Sequence, residues 1–474
     1  MNKFNVYPKP DYCFADEGKY YLNASVTAKC SAFSDFEKNL YCELWNRFTL
    51  GLSNLSFEEG GEGYELTIGS PEKKSQSGYA YSVHVDDAGV YLKGNNKKEL
   101  IHAFTTLLQL VYNEGGIKAE KVYFFHGDYA ATAKVDVRAI HFCLFPNVGL
   151  DFVKQFIRMM GMYRYSHFVL EFWGTYRYEC FEALGWEKNS YTKEQILPLI
   201  KEANALGMEV IPFFNHLGHA AQSKVGSGEH VVLSQHPEYA PLFESDGWTW
   251  CVNNPETIKL LKNVRDELIE LCGSGEYFHI GCDEAFSFCT CPRCRDKNKN
   301  DVLATFLNSV SDDLKSKGRK CVMWGDQLLP ANVFKPPYEA NLVPDLETSK
   351  AIANVSKDII IADWQYRIYE GEVETSKFFI ENGFKVWQSP WHNPNNIKTH
   401  INTAVKYGSG VLLTTWNVTQ PFISQLLHAA EMLWTGEEQS SHAEYMSITG
   451  NILRKIAPPV KEAGKGWLGM WELF

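Results

Sequence analysis

From Val135 onward the sequence alternates short apolar runs with amphipathic segments, and it does so eight times. The runs are VRAIHFCLF, HFVLEF, MEVIPFF, EYFHIG, KCVMWGD, DIIIADW, FKVWQSP and GVLLTTW. Segments between them, such as LDFVKQFIRMMGMYRY and PETIKLLKNVRDELIELCG, carry apolar residues at helical spacing. Runs that are apolar throughout suit strands buried on both faces, which is the condition of a parallel sheet covered by helices. Eight such units over roughly 340 residues fit a (β/α)8 barrel with some long loops. A doubly wound sheet fits less well, because no glycine-rich dinucleotide fingerprint follows the first strand.

The first ~130 residues have a different rhythm. GYELTIGS, GYAYSVHVDDAGVYLKG and KVYFFHGDYA alternate apolar and polar residues around a turn at Asp86-Asp87-Ala88-Gly89. Two helical patterns accompany them, CSAFSDFEKNLYCELWNRF and NKKELIHAFTTLLQLVY. The expectation is an α/β chain in two parts. A small α+β domain of antiparallel strands with helices on one face covers residues 1–130, and the barrel covers 131–474, joined near DYAATAK.

Charge narrows the partners. With 46 Lys+Arg against 57 Asp+Glu the net charge is −11, which argues against nucleic acid and against an anionic membrane surface. No stretch approaches the length of a membrane span, and MNKFNVYPKPDY has no apolar signal region, so a cytoplasmic location is expected. Most of the 12 cysteines lie in apolar surroundings, as reduced buried thiols do. CTCPRC is the exception. Its Cys289, Cys291 and Cys294 read either as a loop of reduced thiols or as part of a structural zinc site, with no second CxxC to complete it. The expected chemistry needs neither metal nor cofactor. Association into a homo-oligomer stays open, since no interface can be read.

In a barrel of this kind, chemistry gathers where strands end. Those ends here are rich in acids, histidines and aromatics. Strand one carries Arg138, and strand two ends at Glu171 and Trp173. Strand three leads into Asn215, His216 and His219, and strand four ends at Asp283 and Glu284. Strands five to eight offer Trp324 and Asp326; Asp363, Trp364 and Tyr366; Trp391 and His392; and Trp416 and Asn417. Tryptophan in several equivalent positions points to an aromatic-walled pocket, where the C–H face of a sugar ring stacks while polar groups take its hydroxyls. Each residue also has a plainer reading: a single Trp as core, His219 as a satisfied structural histidine, Arg138 as a counter-charge to buried acids.

The stretch YFHIGCDEA raises a geometric question. Neighbours on a strand point to opposite faces, and two adjacent buried acids cost heavily in desolvation. Asp283 and Glu284 make sense side by side only if the strand has just ended and the turn aims both into one cavity.

These residues resemble glycoside hydrolase family 20, the β-N-acetylhexosaminidases. HIGCDEA is similar to that family's His-x-Gly-x-Asp-Glu motif, and VIPFFNHLGHA to its third-strand segment. VDVRAIHF resembles the first-strand segment whose Arg grips hydroxyls of the terminal sugar, which would be Arg138. YSVHVDDAGVYLKGNNKKELIHAFTTLLQLV resembles the end of the small domain before the barrel, and Glu171 resembles the hexosaminidase D-like branch. The resemblance implies an exo-acting retaining enzyme that releases terminal β-linked GlcNAc or GalNAc from a glycan or glycoconjugate. The substrate's own acetamido oxygen would be the nucleophile. Glu284 would be the general acid and base, and Asp283 would hold the acetamido N–H. Arg138, Glu171, His219, Trp324, Trp364, Tyr366, Trp391, Trp416 and Asn417 would bind the sugar.

Two departures from the family pattern bear on specificity. WQSPWHNP lacks the Tyr that follows strand seven, which leaves Tyr366 as a stand-in, and Val418 stands where an acid is common after the strand-eight Trp. The alternatives left open are an endo-acting glycosidase with the same acid pair and a carbohydrate-binding barrel without turnover.

Overall fold

A computed structural model of the chain describes residues 6–146, 148–220, 230–340, 347–416 and 423–457. The N-terminal part runs β1 (Tyr12–Tyr21), β2 (Ser25–Lys29), α1 (Asp35–Phe48), β3 (Asn54–Glu58), β4 (Glu65–Gly69), β5 (Tyr81–Asp86), β6 (Gly89–Gly94), α2 (Lys97–Gln109), β7 (Tyr112–Glu114) and β8 (Lys121–Ala131). Its sheet has the order β1-β8-β5-β6-β4-β2-β3, with β7 on β8. The pairing is antiparallel except between β2 and β3, which run parallel because α1 lies between β2 and β3 as a crossover. Ser34 starts α1 with a reciprocal capping box to Glu37.

The second part begins with β9 (Arg138–Leu144), α3 (Leu150–Met162), β10 (His167–Phe172), α4 (Lys193–Ala205), β11 (Glu209–Phe213), α5 (Pro255–Cys272), β12 (Tyr277–His279) and α6 (Lys299–Ser316). It continues with β13 (Lys320–Trp324), β14 (Ile360–Asp363), α7 (Glu374–Glu381), β15 (Lys385–Gln388), α8 (Pro394–Tyr407), β16 (Gly410–Leu413), α9 (Ile423–Thr435) and α10 (His442–Ile456). β9 to β16 close into one barrel, every neighbouring pair parallel. All eight strands expected from the sequence form. The expected helix after strand five does not appear among the described residues. Two 3₁₀ turns, Asp326–Leu328 and Ser349–Ala353, lie there instead, where Pro330, Pro336 and Pro337 interrupt helical hydrogen bonding.

Strand parity decides what the barrel encloses. Ala139, Val169, Ile211, Phe213, Val322, Trp324, Ile360, Ala362 and Leu412 pack together inside it. The larger core lies between barrel and helices and runs on into the N-terminal sheet. The two parts are tied across that layer: Tyr41 donates to the Ala205 carbonyl at 2.5 Å, and Gln109 Nε2 to the Met162 carbonyl at 3.0 Å. Among the described residues no helix is long and apolar enough to cross a membrane.

Candidate active site

β12 is only three residues long, and the turn after it accounts for the paired acids. Gly281, Cys282 and Glu284 have φ of +63°, +78° and +48°, so the chain leaves extended geometry at once. The peptide plane rotates around Asp283 instead of alternating past it, and both acids turn into the same cavity at the C-terminal end of the barrel. Two glycines permit the close packing this needs. A Cβ at Gly281 would stand 2.0 Å from Asn215 Oδ1, and one at Gly218 would stand 2.0 Å from the Asp283 carbonyl. Side chains at either position would push the loop after β11 away from the acids.

The cavity has a volume of about 640 Å³. Asp283 and Glu284 sit in it beside His219, with Trp173, Trp364, Tyr366, Trp391 and Trp416 as aromatic walls. His219 Nε2 lies 3.3 Å from Asp283 Oδ2 and 3.1 Å from Glu284 Oε2, so one imidazole nitrogen meets both carboxylates. Burial lowers the His219 pKa, but the two adjacent acids outweigh it and hold the ring up at about 10. The two acids thus favour the imidazolium form of His219 at neutral pH. Burial pushes the Asp283 carboxyl up, opposed by the His219 charge.

Asp326, at the end of the neighbouring strand, supports the pair from below. Its Oδ2 accepts the Glu284 backbone N–H at 3.0 Å, and its Oδ1 accepts the Trp364 indole N–H at 3.3 Å. Burial and the nearby Asp283 push it up to about 8. From above, Trp248 donates its indole N–H to the Glu284 carbonyl at 2.6 Å, and its ring lies 4.6 Å from that of His219. The opposite wall is hydrogen-bonded too, with Trp416 Nε1 donating to the Tyr366 hydroxyl at 2.9 Å.

Several expected sugar-binding residues lie elsewhere. Arg138 opens β9, at the end of the barrel away from the acids, and its parity is opposite to that of the inward-facing Ala139. Its guanidinium donates to the carbonyls of Val135, Asp136 and Arg164 and stacks 4.6 Å from the Trp434 ring. It secures the barrel's lower rim and does not line the cavity, which corrects its expected role. Glu171 is fully buried below the cavity, taking hydrogen bonds from His141 at 2.9 Å, Cys143 at 3.0 Å and Asn215 at 2.8 Å. Burial raises its pKa, but His141 and Cys143 more than offset that and hold it below the usual range. Trp324 is also corrected. It lies in the layer beneath, 4.4 Å from His279 and 5.9 Å from Trp416 between ring centres, with 1% of its surface exposed. Asn417 falls outside the described residues.

Two lining residues carry no signal in the sequence. Glu339 and Arg367 come from the loops after β13 and β14 and face each other at 3.2 Å on the cavity rim. Asp326 and Trp173 stood at strand ends in the sequence, but only their contacts give them a part here.

Among the described residues three groups bring metal-binding atoms within 4.8 Å of one another. His219 with the acid pair is one, and His141, Cys143 and Glu171 are the second, both accounted for by the hydrogen bonds above. The third is Glu244 with Cys251, Cys291 and Cys294. Cys289, expected from the sequence to belong to the cysteine cluster, is not part of it, and Cys251 takes its place.

The sequence of a lacto-N-biosidase from Bifidobacterium bifidum is 23% identical over 288 residues, 57% of this chain and 23% of that protein. β-Hexosaminidase subunit A1 of Dictyostelium discoideum is 26% identical over 271 residues, 53% of this chain and 48% of that protein. The chain thus spans less than half the length of either relative. The structure of Streptomyces plicatus N-acetyl-β-hexosaminidase superposes with a TM-score of 0.66 over 96% of both chains at 16% identity, a likeness of fold. The catalytic-domain model of glycosyl hydrolase family 20 matches residues 169–436, which hold the acid pair, His219 and most of the aromatic walls. The chain belongs to glycosyl hydrolase family 20.

Proposed function

We propose that the chain is a retaining exo-β-N-acetylhexosaminidase acting on glycans or glycoconjugates that end in N-acetylhexosamine. One observation carries the reading: Asp283 and Glu284 enter the cavity from one side and meet a single imidazole nitrogen. Retaining glycosidases with an enzyme nucleophile hold two carboxyls on opposite faces of the sugar, about 5–5.5 Å apart. Adjacent acids on one dipeptide cannot bracket a ring in that way. Glu339, the third carboxylate on the cavity wall, is paired with Arg367 and better suited to holding hydroxyls. The nucleophile then has to come with the substrate.

In the first step the acetamido oxygen attacks the anomeric carbon as the bond to the leaving oxygen breaks. Glu284 gives its proton to that oxygen, and the sugar becomes an oxazolinium ion. Asp283 accepts the acetamido N–H, orienting it and stabilising the positive charge that grows on it. In the second step Glu284 takes a proton from water, which attacks the anomeric carbon and reopens the oxazolinium ring with configuration retained. The two acids differ in exposure: Asp283 is buried against His219, whose positive charge favours its ionised form, while Glu284, with its side chain 31% exposed, is the acid open to a leaving group. Tyr366, whose hydroxyl accepts from Trp416, would donate to the acetamido oxygen, and Trp364, Trp391 and Trp416, which line the cavity, would stack on the ring. The twelve unpaired cysteines fit a reducing, cytoplasmic setting.

The test is hydrolysis of aryl β-GlcNAc and β-GalNAc substrates, with a thiazoline analogue of the oxazoline as inhibitor. Turnover with retention and inhibition by the analogue supports the reading, and the ratio of the two rates names the sugar. A folded protein that turns over neither substrate but cuts longer glycans internally is endo-acting. One that only gains thermal stability with glycans is a binding barrel.

A further inference from the structure

We propose that Cys251, Cys291 and Cys294, with Glu244, bind a structural zinc ion that staples two active-site loops together. The four residues come from two segments far apart in sequence. Glu244 and Cys251 flank a tight hairpin closed by Cys251 N–H to Leu242 C=O at 2.9 Å and Glu244 N–H to Thr249 C=O at 2.7 Å. Cys291 and Cys294 lie in the loop after the acid pair, on a turn in which the Cys294 N–H donates to the Cys291 carbonyl at 2.9 Å.

The sulfurs already stand at the spacing a tetrahedral ion requires. Cys251 Sγ is 3.6 Å from Cys291 Sγ and 3.5 Å from Cys294 Sγ. Zn–S bonds of about 2.3 Å at tetrahedral angles put sulfurs about 3.8 Å apart. All four residues are buried. The carboxylate is oriented as ligating carboxylates are: Glu244 Oε2 accepts the backbone N–H groups of Thr290 at 3.1 Å and Cys291 at 2.7 Å. Its Oε1 is buried and has no hydrogen-bond partner among the described residues. A buried, unsatisfied oxygen on a carboxylate that sits within 4.8 Å of three thiols is costly unless a cation takes it. Donors to the sulfurs complete the surroundings, with Arg293 Nη1 3.4 Å from Cys251 Sγ and Asn253 Nδ2 3.3 Å from Cys294 Sγ. Four protein ligands leave no open position, so the ion has a structural and not a catalytic role.

What the ion would hold is specific. The hairpin between Glu244 and Cys251 carries Trp248, which donates to the Glu284 carbonyl and faces His219. Its Asp246 accepts from Ser287 at 2.6 Å. Joining the hairpin to the loop of Cys291 and Cys294 fixes the roof of the active site over its acid.

Metal content of the full chain, purified under reducing conditions without chelator, tests this directly. The expected result is about one zinc per chain, falling below about a tenth in Cys251→Ser and Cys294→Ser and unchanged in Cys289→Ser. Cobalt exchanged into the wild-type site should show thiolate charge-transfer bands and the intense visible absorption of tetrahedral coordination, a readout independent of activity. The proposal is overturned by wild-type protein that holds no zinc and takes up none when it is added. A disulfide between Cys251 and either partner in the protein as isolated, or loss of zinc in Cys289→Ser equal to that in Cys294→Ser, overturns it as well.

Discussion

The backbone N–H of Glu284 donates to the carboxylate of Asp326 at 3.0 Å, so the proposed general acid is held in place by the acid at the end of the next strand. This bond reaches the main chain and so anchors Glu284 without engaging the carboxyl that meets His219. It also sits where the backbone has φ of +48°, a conformation that needs support from its surroundings.

Glu284→Gln keeps the shape of the side chain and removes the proton it shuttles. Turnover of aryl β-N-acetylhexosaminides should fall by about 10²–10⁴. The fall should be smallest for the most acidic aryl leaving groups, which need least protonation. A plot of kcat against leaving-group pKa for both enzymes checks this, and equal losses across the series would contradict the assignment.

Asp283→Asn retains an acceptor for the acetamido N–H and loses the negative charge. The expected cost is about 10²–10³ in kcat, comparable to removing one preorganised transition-state contact. Binding of the thiazoline analogue should weaken in parallel, because the analogue sets its ring nitrogen where the acetamido N–H would meet Asp283, and the carboxylate favours a proton there. Unchanged inhibition would separate Asp283 from the acetamido group.

His219→Gln should change the pH dependence of stability in one direction. The folded-state pKa of His219 is raised to about 10, above the ordinary value of about 6.5. The stabilisation from its charge is therefore complete below about pH 6.5 and disappears as pH rises through about 10. The difference in Tm between wild type and variant should be largest in acid and close on the alkaline side. A difference that is constant with pH would mean that His219 is not the charged partner of the acid pair.

Arg138→Met separates the lower rim of the barrel from its catalytic end. Losing a buried guanidinium that satisfies three carbonyls should destabilise the protein by about 1–3 kcal/mol. KM of the folded fraction should not change. Denaturant unfolding together with steady-state kinetics reads both quantities, and a raised KM at unchanged stability would return Arg138 to the sugar.

How much of this was legible in the sequence varies with the physics involved. The eight strands were, because burial on both faces leaves runs such as DIIIADW that little else explains. The acid pair was legible too, since two adjacent acids after an apolar run have few comfortable structural homes. Arg138 misled because the family resemblance was followed over its place at the start of the run VRAIHFCLF, which already puts it at the N-terminal end of its strand, away from the acids. Its parity relative to Ala139 was present in the sequence but has meaning only once the inward set is known. Trp324 shows a related limit, since an inward side chain at a strand end can form either the wall of the cavity or the layer beneath it. Glu339, Arg367 and Cys251 reach their places through loops and a hairpin whose positions depend on long-range packing, and no local pattern marks them.

The left-handed backbone at His219, Glu284 and Trp416 has a consequence for anyone trying to make this protein hardier. Each of the three would sit more comfortably as glycine, for which positive φ carries no steric cost. Random libraries screened only for heat resistance should therefore accept glycine at these positions and, with it, discard groups that line the cavity. Selection pressure for catalysis has to be applied in the same round, or the barrel will improve while its purpose is lost.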